Sequence, residues 1–529
     1  MAFNSKELHK TSPKTNWVVQ INQLLDPNNL QTALQTPTSI FKLPHSITNG
    51  MPQAYFPCHI ALGPYHHFKN ELYQMELYKL DNAINAIESF KLPQLHQIAA
   101  DLEQFDIKIR SCYDKFLDFG AEVLAWIMLI DGLFLVQLLA ISNHEKDELR
   151  TMRQDLYLPS PFPLFVEQKL YGSLIEANLM TQDELVNDIL KLENQIPIFV
   201  LKKILPQNLS NNLHILFFRF CEVVSPKKLP PHDSPQFMRY SGYTDLYQIL
   251  EQSHHLLHFL YLLILDSSLS IDRPVGMALL RGSFLVELLN ALASVLQIAL
   301  LQQLSEAVGL IQSLLGLLGR VGSSSSSTGE DMNGPPLIPS AEQLRRVGVK
   351  LEGNYEDFHE SISFEKERRE PCLKLPTIVI NAFSEVVYRN LVAFEGATKL
   401  NPPCFSNYVA LISGLITTTK DVKILKKASI IESHAGSEEE VVKLFDGLRS
   451  VLELKNMAEL QMVKDINSYY ESCWKVKAKR FIQKYINPML KVIVLVVVIL
   501  LIGVVVVRTF CGWFGCSRIL HVVSSASKD

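Results

Sequence analysis

The sequence predicts a mainly α-helical protein: a multi-helix body, a small β-hairpin or meander in its C-terminal part, and one C-terminal transmembrane helix. Three observations predict this. Apolar residues recur near a period of 3.6 through much of the chain. β-rich alternation is confined to a few short runs beyond residue 346. Sixteen consecutive apolar or glycine residues, Val492 to Val507, stand near the C-terminus.

Residues 1–16 are polar and read as a flexible N-terminus. The helical N-terminal part of the body is expected over 17–318. Trp17 to Leu30 has a helical pattern. Ile40 to Pro44 reads as extended, because proline disfavours the α region in the residue before it. Tyr55 to Tyr65 carries Pro57, Gly63 and Pro64 and reads as loop with at most one short strand. Leu72, Met75, Tyr78 or Lys79, Ala83 and Ile87 form one helical stripe, and Leu95, Ile98, Leu102, Phe105, Ile109, Cys112 and Phe116 a second. Ala121 to Ile141 is apolar enough to suggest a membrane span. Asp131 near its centre would cost about 2.5–3.5 kcal/mol in lipid, so a buried core helix is predicted. Leu185 to Leu205 predicts two helical segments interrupted at Pro197, and His254 to Leu265 another helix.

A Leu-rich stretch over 278–318 leads into a Ser/Gly/Pro-rich linker over 319–340, whose composition cannot bury a core. The C-terminal part of the body follows over 341–488. Val347 to Leu351, Ile362 to Phe364 and Cys372 to Ile380 supply the β runs, and helices resume at Asn381 to Glu395. The transmembrane helix is placed at 489–511 and a short tail at 512–529.

The chain has 529 residues, 48% hydrophobic and 20% charged, with 23 Gly and 26 Pro. That is neither a disordered nor a fibrous composition. Its net charge of −4 leaves no chain-wide basic field, so nucleic acid is not expected as a partner. Eight cysteines without a C-x-x-C pair suggest a reducing compartment rather than a disulfide framework. Phosphate-binding glycine loops, a nucleophile elbow and H-E-x-x-H are all missing from the sequence. His254, His255 and His258, and Cys58-His59 with His66-His67, match no standard metal spacing and read as packed side chains. No catalytic residue, cofactor or metal is expected.

Polar residues inside apolar runs carry more information. Glu193, Asn194 and Gln195 lie within Leu192–Pro197, where the proline removes a backbone donor and starts a helix. Such residues can supply the partners that a helix break needs. Arg389, Asn390 and Glu395 have the same character. With Asp131 they define an expected structural polar network. Among Asp131, Glu193, Arg389 and Glu395 we expect at least one buried ion pair joining the two parts, because an unpaired buried charge is costly.

The terminal apolar run is long enough for a hydrocarbon core of about 30 Å. Lys475, Lys477, Lys479, Arg480, Lys484 and Lys491 precede it, whereas Arg508, Arg518 and Lys528 follow. The positive-inside rule puts the body in the cytosol and makes the span a tail anchor, in an endomembrane or the plasma membrane. No charged start with an apolar run of about 7–15 residues follows Met1, so a secretory signal peptide is not expected. Cys511 and Cys516 flank Trp513 and are candidates for palmitoylation.

Ser39 to Pro44, Tyr55-Phe56-Pro57, Leu62 to His66, Met75-Glu76 with Tyr78-Lys79, Trp126 to Phe134, Leu192 to Pro197, Arg389 to Glu395, Tyr469-Tyr470 and Trp474-Lys475 follow one another along the chain. In that order they resemble a plant family known as domain of unknown function 247, or uncharacterised protein family 0481. The resemblance implies a mostly helical body, a variable middle segment and one C-terminal membrane helix. It supplies no catalytic residues. Self-recognition roles of some members imply partner binding at a membrane. The expected function is therefore a non-enzymatic, single-pass membrane protein that binds a protein partner. Its alternatives are a self-recognition factor facing the outside of the cell and an enzyme with an unrecognised site.

Overall fold

The computed structural model describes residues 13–150, 181–229, 243–265, 338–354, 362–366, 370–400, 402–433, 436–449, 452, 461–481, 497 and 499–509. Helix α1 (Pro13–Leu24) begins inside the stretch expected to be flexible. The Trp17–Leu30 pattern divides at Asp26, whose side chain accepts from the Asn28 amide and caps α2 (Pro27–Gln35). Ile40 is extended and bridges to Tyr113. A four-residue α3 (His45–Thr48) and a 3-10 turn at Pro52–Ala54 lead into irregular chain. A second 3-10 turn, Asn70–Leu72, enters α4 (Gln74–Phe90). The second apolar stripe becomes two helices, α5 (Leu95–Glu103) and α6 (Asp106–Ser111).

Helix α7 (Ala121–Arg150) is the axis of this part. Its segment Ala121–Leu139 is long and apolar enough to cross a membrane, yet it is mostly buried in the body. It packs against α4, α5 and two later helices, α9 (Ile198–Ile204) and α11 (Leu213–Val224). A helix surrounded on all sides is apolar all round, which accounts for its composition. Between these lie α8 (Gln182–Ile189), closed by a Thr181/Glu184 capping box, and the short α10 (Gln207–Ser210). Helices α12 (Tyr243–Gln252) and α13 (Leu256–Leu265) complete the N-terminal part.

Ile338 is buried and Ser340 caps α14 (Ala341–Arg346). The body therefore resumes within the expected linker. Residues 319–337 and the Leu-rich 278–318 lie outside the described residues. Strands β1 (Lys350–Asn354), β2 (Ser363–Glu365) and β3 (Cys372–Pro376) form a sheet ordered β1-β3-β2. The β2–β3 pair is antiparallel, so the expected hairpin is present, but β1 joins β3 in parallel, which no meander allows. Strand β4 (Ile378–Ile380) pairs in parallel with β5 (Ile431–Ser433), a strand too short to show alternation in the sequence.

Helices α15 (Ser384–Thr398), α16 (Cys404–Leu415), α17 (Thr419–Lys427) and α18 (Glu438–Arg449) pack on one another, and α17 lies against β5. Helix α15 also rests on the 3-10 turn at Pro52–Ala54. One continuous apolar core runs through both parts, from Phe134 and Phe217 to Tyr388 and Phe445.

Helix α19 (Gln461–Ser472) packs on β2 and buries Val463 and Ile466 in the core, and α20 (Trp474–Phe481) follows it. Lys475, Lys477, Lys479 and Arg480 lie on α20. The last described helix, α21, is the apolar segment Ile499–Thr509, exposed along its whole length. It measures about 16 Å at 1.5 Å per residue, shorter than a bilayer core. Lys484, Lys491, Cys511 and Cys516 lie outside the described residues.

Candidate functional site

Between the two 3-10 turns the chain from Tyr55 to Lys69 forms neither helix nor strand, yet much of it is buried. Buried backbone amides and carbonyls need partners, and here side chains provide them. Asp188, at the end of α8, accepts from three consecutive amides: Cys58 at 3.1 Å, His59 at 2.7 Å and Ile60 at 2.9 Å. Lys191 lies one turn on. Its ammonium donates to Asp188 at 2.6 Å and to the Phe56 carbonyl at 2.8 Å.

The next stretch of loop is held by the Leu192–Pro197 turn and by α7. Asn194 Oδ1 accepts from the Leu62 amide at 2.7 Å, while its Nδ2 donates to the Ile60 and Asp188 carbonyls. Asp131 Oδ2 accepts from the Gly63 amide at 2.9 Å. Gly63 has φ +72°, and a Cβ there would lie 3.0 Å from both the Gln195 carbonyl and the Tyr113 hydroxyl. Glycine meets both the backbone conformation and the close approach.

Asp131 Oδ1 accepts from Lys79 at 2.8 Å. Lys79 is fully buried and also donates to Glu76 at 2.7 Å and to the Ala61 carbonyl. Burial opposes its charge, but Asp131 and Glu76 outweigh burial and raise the Lys79 pKa. His67, Glu76 and Asp131 place three ligand-type atoms within 4.8 Å of one another, the only such group among the described residues. The Lys79 ammonium already bonds both carboxylates of this trio, so it supplies the positive charge there.

Glu193 accepts from the Leu43 amide at 2.7 Å, and its second oxygen lies 2.9 Å from His66 Nε2. Gln195 accepts from the Leu257 amide, donates to the Ile189 and Lys191 carbonyls, and its own carbonyl accepts from Tyr113. Asn390 on α15 ties the turn to the C-terminal part. It accepts from the Leu192 amide at 2.9 Å and donates to the Ala54 carbonyl at 2.8 Å. Glu395 accepts from the Tyr261 hydroxyl at 2.7 Å, and from the Phe405 and Ser406 amides that open α16. A carboxylate at a helix start is favoured there.

The structure thus gathers Asp131, Glu193, Asn194, Gln195 and Asn390 around one buried loop, with Glu395 farther along α15. It corrects one expectation. Among the described residues, no ion pair of Asp131, Glu193, Arg389 or Glu395 joins the two parts. Asp131 pairs with Lys79, Glu193 faces His66, and Arg389 bonds Glu385 one turn away at 3.2 Å. Glu395 is satisfied by hydroxyl and amide donors alone. Hydrogen bonds through Asn390 and Glu395 make the joint, together with the Asn381 amide group on the Val223 carbonyl and the Val379 amide on the Pro226 carbonyl. An ion pair that does cross, Lys228 with Glu432, is at the surface.

Sequence reasoning passed over Lys79, Asp188 and Lys191. The signal for Lys79 was present. It falls in phase with Met75 and Ala83 on the apolar stripe of α4, while Asp131 sits in an apolar helix. Two opposite charges, each on a core-facing position, call for one another.

Of the two histidine groups, the one at 254, 255 and 258 is packed, whereas in the other Cys58 is exposed and His59 half-buried. His255 is buried with Nε2 2.9 Å from the Ser39 carbonyl, and His258 lies against the Phe394 ring. Burial lowers the pKa values of His66, His214, His254 and His255, and pushes that of His258 down to about 3.

A mainly helical fold with a few short strands, whose buried charges are engaged by its own backbone, defines a class of protein by architecture alone. A family profile described as plant protein of unknown function, domain of unknown function 247, matches residues 40–504, and the chain belongs to that family. It is 27% identical to a putative UPF0481 protein of Arabidopsis thaliana, At3g02645, over 96% of each chain. It is 24% identical to a second Arabidopsis thaliana UPF0481 protein, At3g47200, over 84% of this chain and 80% of the relative. No solved structure matches the chain.

Two outcomes follow from this geometry. Asn390→Leu leaves the Leu192 amide and the Ala54 carbonyl buried without partners, and should lower unfolding free energy by roughly 3 kcal/mol in urea denaturation. Histidines held neutral in the fold accept protons once unfolded, where their pKa is about 6.5. The stability they contribute is complete above that pH and is lost as pH falls from about 6.5 toward 3. The denaturation midpoint should therefore drop between pH 7.5 and 5.

Proposed function

We propose that this chain is a non-catalytic, single-pass membrane protein whose helical body faces the cytosol and binds another protein. The observation that carries the anchor is α21, a Val-, Ile- and Leu-rich helix with all its described residues exposed. Exposed apolar surface of this extent needs a non-aqueous partner, and the apolar run around it is long enough for a bilayer core.

Charge supports the orientation. Nine of the 50 Lys and Arg, and one of the 54 Asp and Glu, lie beyond Glu471. Six of those nine, Lys475, Lys477, Lys479, Arg480, Lys484 and Lys491, precede the apolar run and three, Arg508, Arg518 and Lys528, follow it, the bias expected of a cytosolic body. Cys58, Cys112, Cys221, Cys404 and Cys473 are free thiols, as suits a reducing compartment. The non-catalytic reading rests on how the buried carboxylates are used. Asp131, Asp188 and Glu395 spend their acceptor sites on backbone amides and on neighbouring side chains.

Topology tests this reading. Asn208 is the acceptor of an N-glycosylation sequon and is exposed on α10, so it reports on the body. A second acceptor appended after Asp529 reports on the tail. The proposal predicts a glycosylated tag and a bare Asn208. A glycosylated Asn208 with a bare tag would put the body outside the cytosol.

A further inference from the structure

We infer that α20 lies on an anionic membrane leaflet, held there by Lys475, Lys477, Lys479 and Arg480 with Trp474 at the headgroup level. The inference rests on the single-pass reading above and says how the body sits on its membrane. Trp474 opens α20 and is 73% exposed. Lys477 is exposed as well, while Val476 is buried and marks the inner face of the helix. At 3.6 residues per turn, positions 474, 478 and 481 fall on one line along the outer face. They are Trp, Ala and Phe. Positions 475 and 479 border that line on one side, and positions 477 and 480 on the other. All four are Lys or Arg.

The positive-inside rule counts charges and is indifferent to their spacing. Two basic margins around an apolar line are therefore more than orientation requires. They are the pattern of a helix lying in a membrane interface, where an aromatic ring sits among the headgroups and lysine reaches the phosphates. Charge selects the leaflet. Helix α19, which α20 follows and contacts, carries Lys464, Asp465 and Glu471, so Glu471 is the acid at the border of the basic tract. From Ser472 to Lys528 there are nine Lys and Arg and no Asp or Glu. Position selects a bilayer over a soluble partner. The apolar run opens at Val492, eleven residues after Phe481, with Lys484 and Lys491 between. The span thus tethers α20 to the bilayer, and contact with it becomes intramolecular.

The test uses the full chain in lipid nanodiscs containing phosphatidylcholine brominated near the headgroup end of its acyl chains. Subtracting the emission of the Trp474→Phe variant isolates Trp474. Discs with about 30% phosphatidylserine should quench Trp474 about threefold more than discs of phosphatidylcholine alone. Salt at about 0.5 M should remove the difference by screening. Replacing Lys475, Lys477, Lys479 and Arg480 together by glutamine should also remove it, with an unchanged denaturation midpoint. Equal quenching in the two kinds of disc would overturn the inference, because the tether alone would then place Trp474. So would an anionic preference that survives the four substitutions. A Trp474 left unquenched in anionic discs, yet shifted to the blue by calcium-loaded calmodulin, would overturn it in favour of a protein partner.

Incorporation separates the two levels. A chain that enters the discs without an anionic preference loses this inference and keeps its anchor. A chain that fails to enter them loses both. Both faces of a nanodisc are open, so the readout does not depend on orientation.

Discussion

A stretch of backbone that is neither helix nor strand is buried near the centre of this protein, and every polar group in it has to be matched. The arrangement of the body follows from how that is done. Asp188 gathers three successive amides, Asn194 reads an amide and a carbonyl, and Asp131 takes the amide of Gly63. Each anchor stands on a different element: the end of α8, the turn after it, and the middle of α7. The loop therefore fixes these elements relative to one another as much as they fix the loop. Charges buried for this purpose must be balanced locally, and Lys79 and Lys191 do so.

The same loop joins the two parts of the body. Asn390 reaches both its beginning, at the Ala54 carbonyl, and the turn that holds its middle, at the Leu192 amide. Neutral amide groups serve better here than the ion pair anticipated from the sequence. An asparagine offers both a donor and an acceptor, which is what an amide and a carbonyl on different segments require. An ion pair could match the same two groups, as Asp188 and Lys191 do on the loop, but would add the desolvation of two charges.

Much of this was legible in the sequence. The helical period located the core-facing stripes, and the charge of Asp131 identified α7 as a core helix rather than a membrane span. Glu193, Asn194 and Gln195 stood out as polar residues in an apolar setting, and all three lie at the hub. What was hidden is long-range pairing. Nothing local to Asp188 says that its partners are amides 128 to 130 residues earlier. The pairing of β4 with β5, and of β1 with β3 in parallel, was hidden for the same reason, since neighbours in space are distant in the chain. Segments that share the family's motifs, from Leu62 to His66, Trp126 to Phe134, Leu192 to Pro197 and Arg389 to Glu395, are the segments that meet around this loop.

The central claim is that side chains, rather than regular secondary structure, hold this loop closed. Amide hydrogen exchange tests it directly. The amides of His59, Ile60, Leu62 and Gly63 should exchange as slowly as those in the middle of α7, opening only with global unfolding. Exchange at the rate of a solvated coil would contradict the account, because carboxylates and Asn194 would then not be engaging the loop in solution.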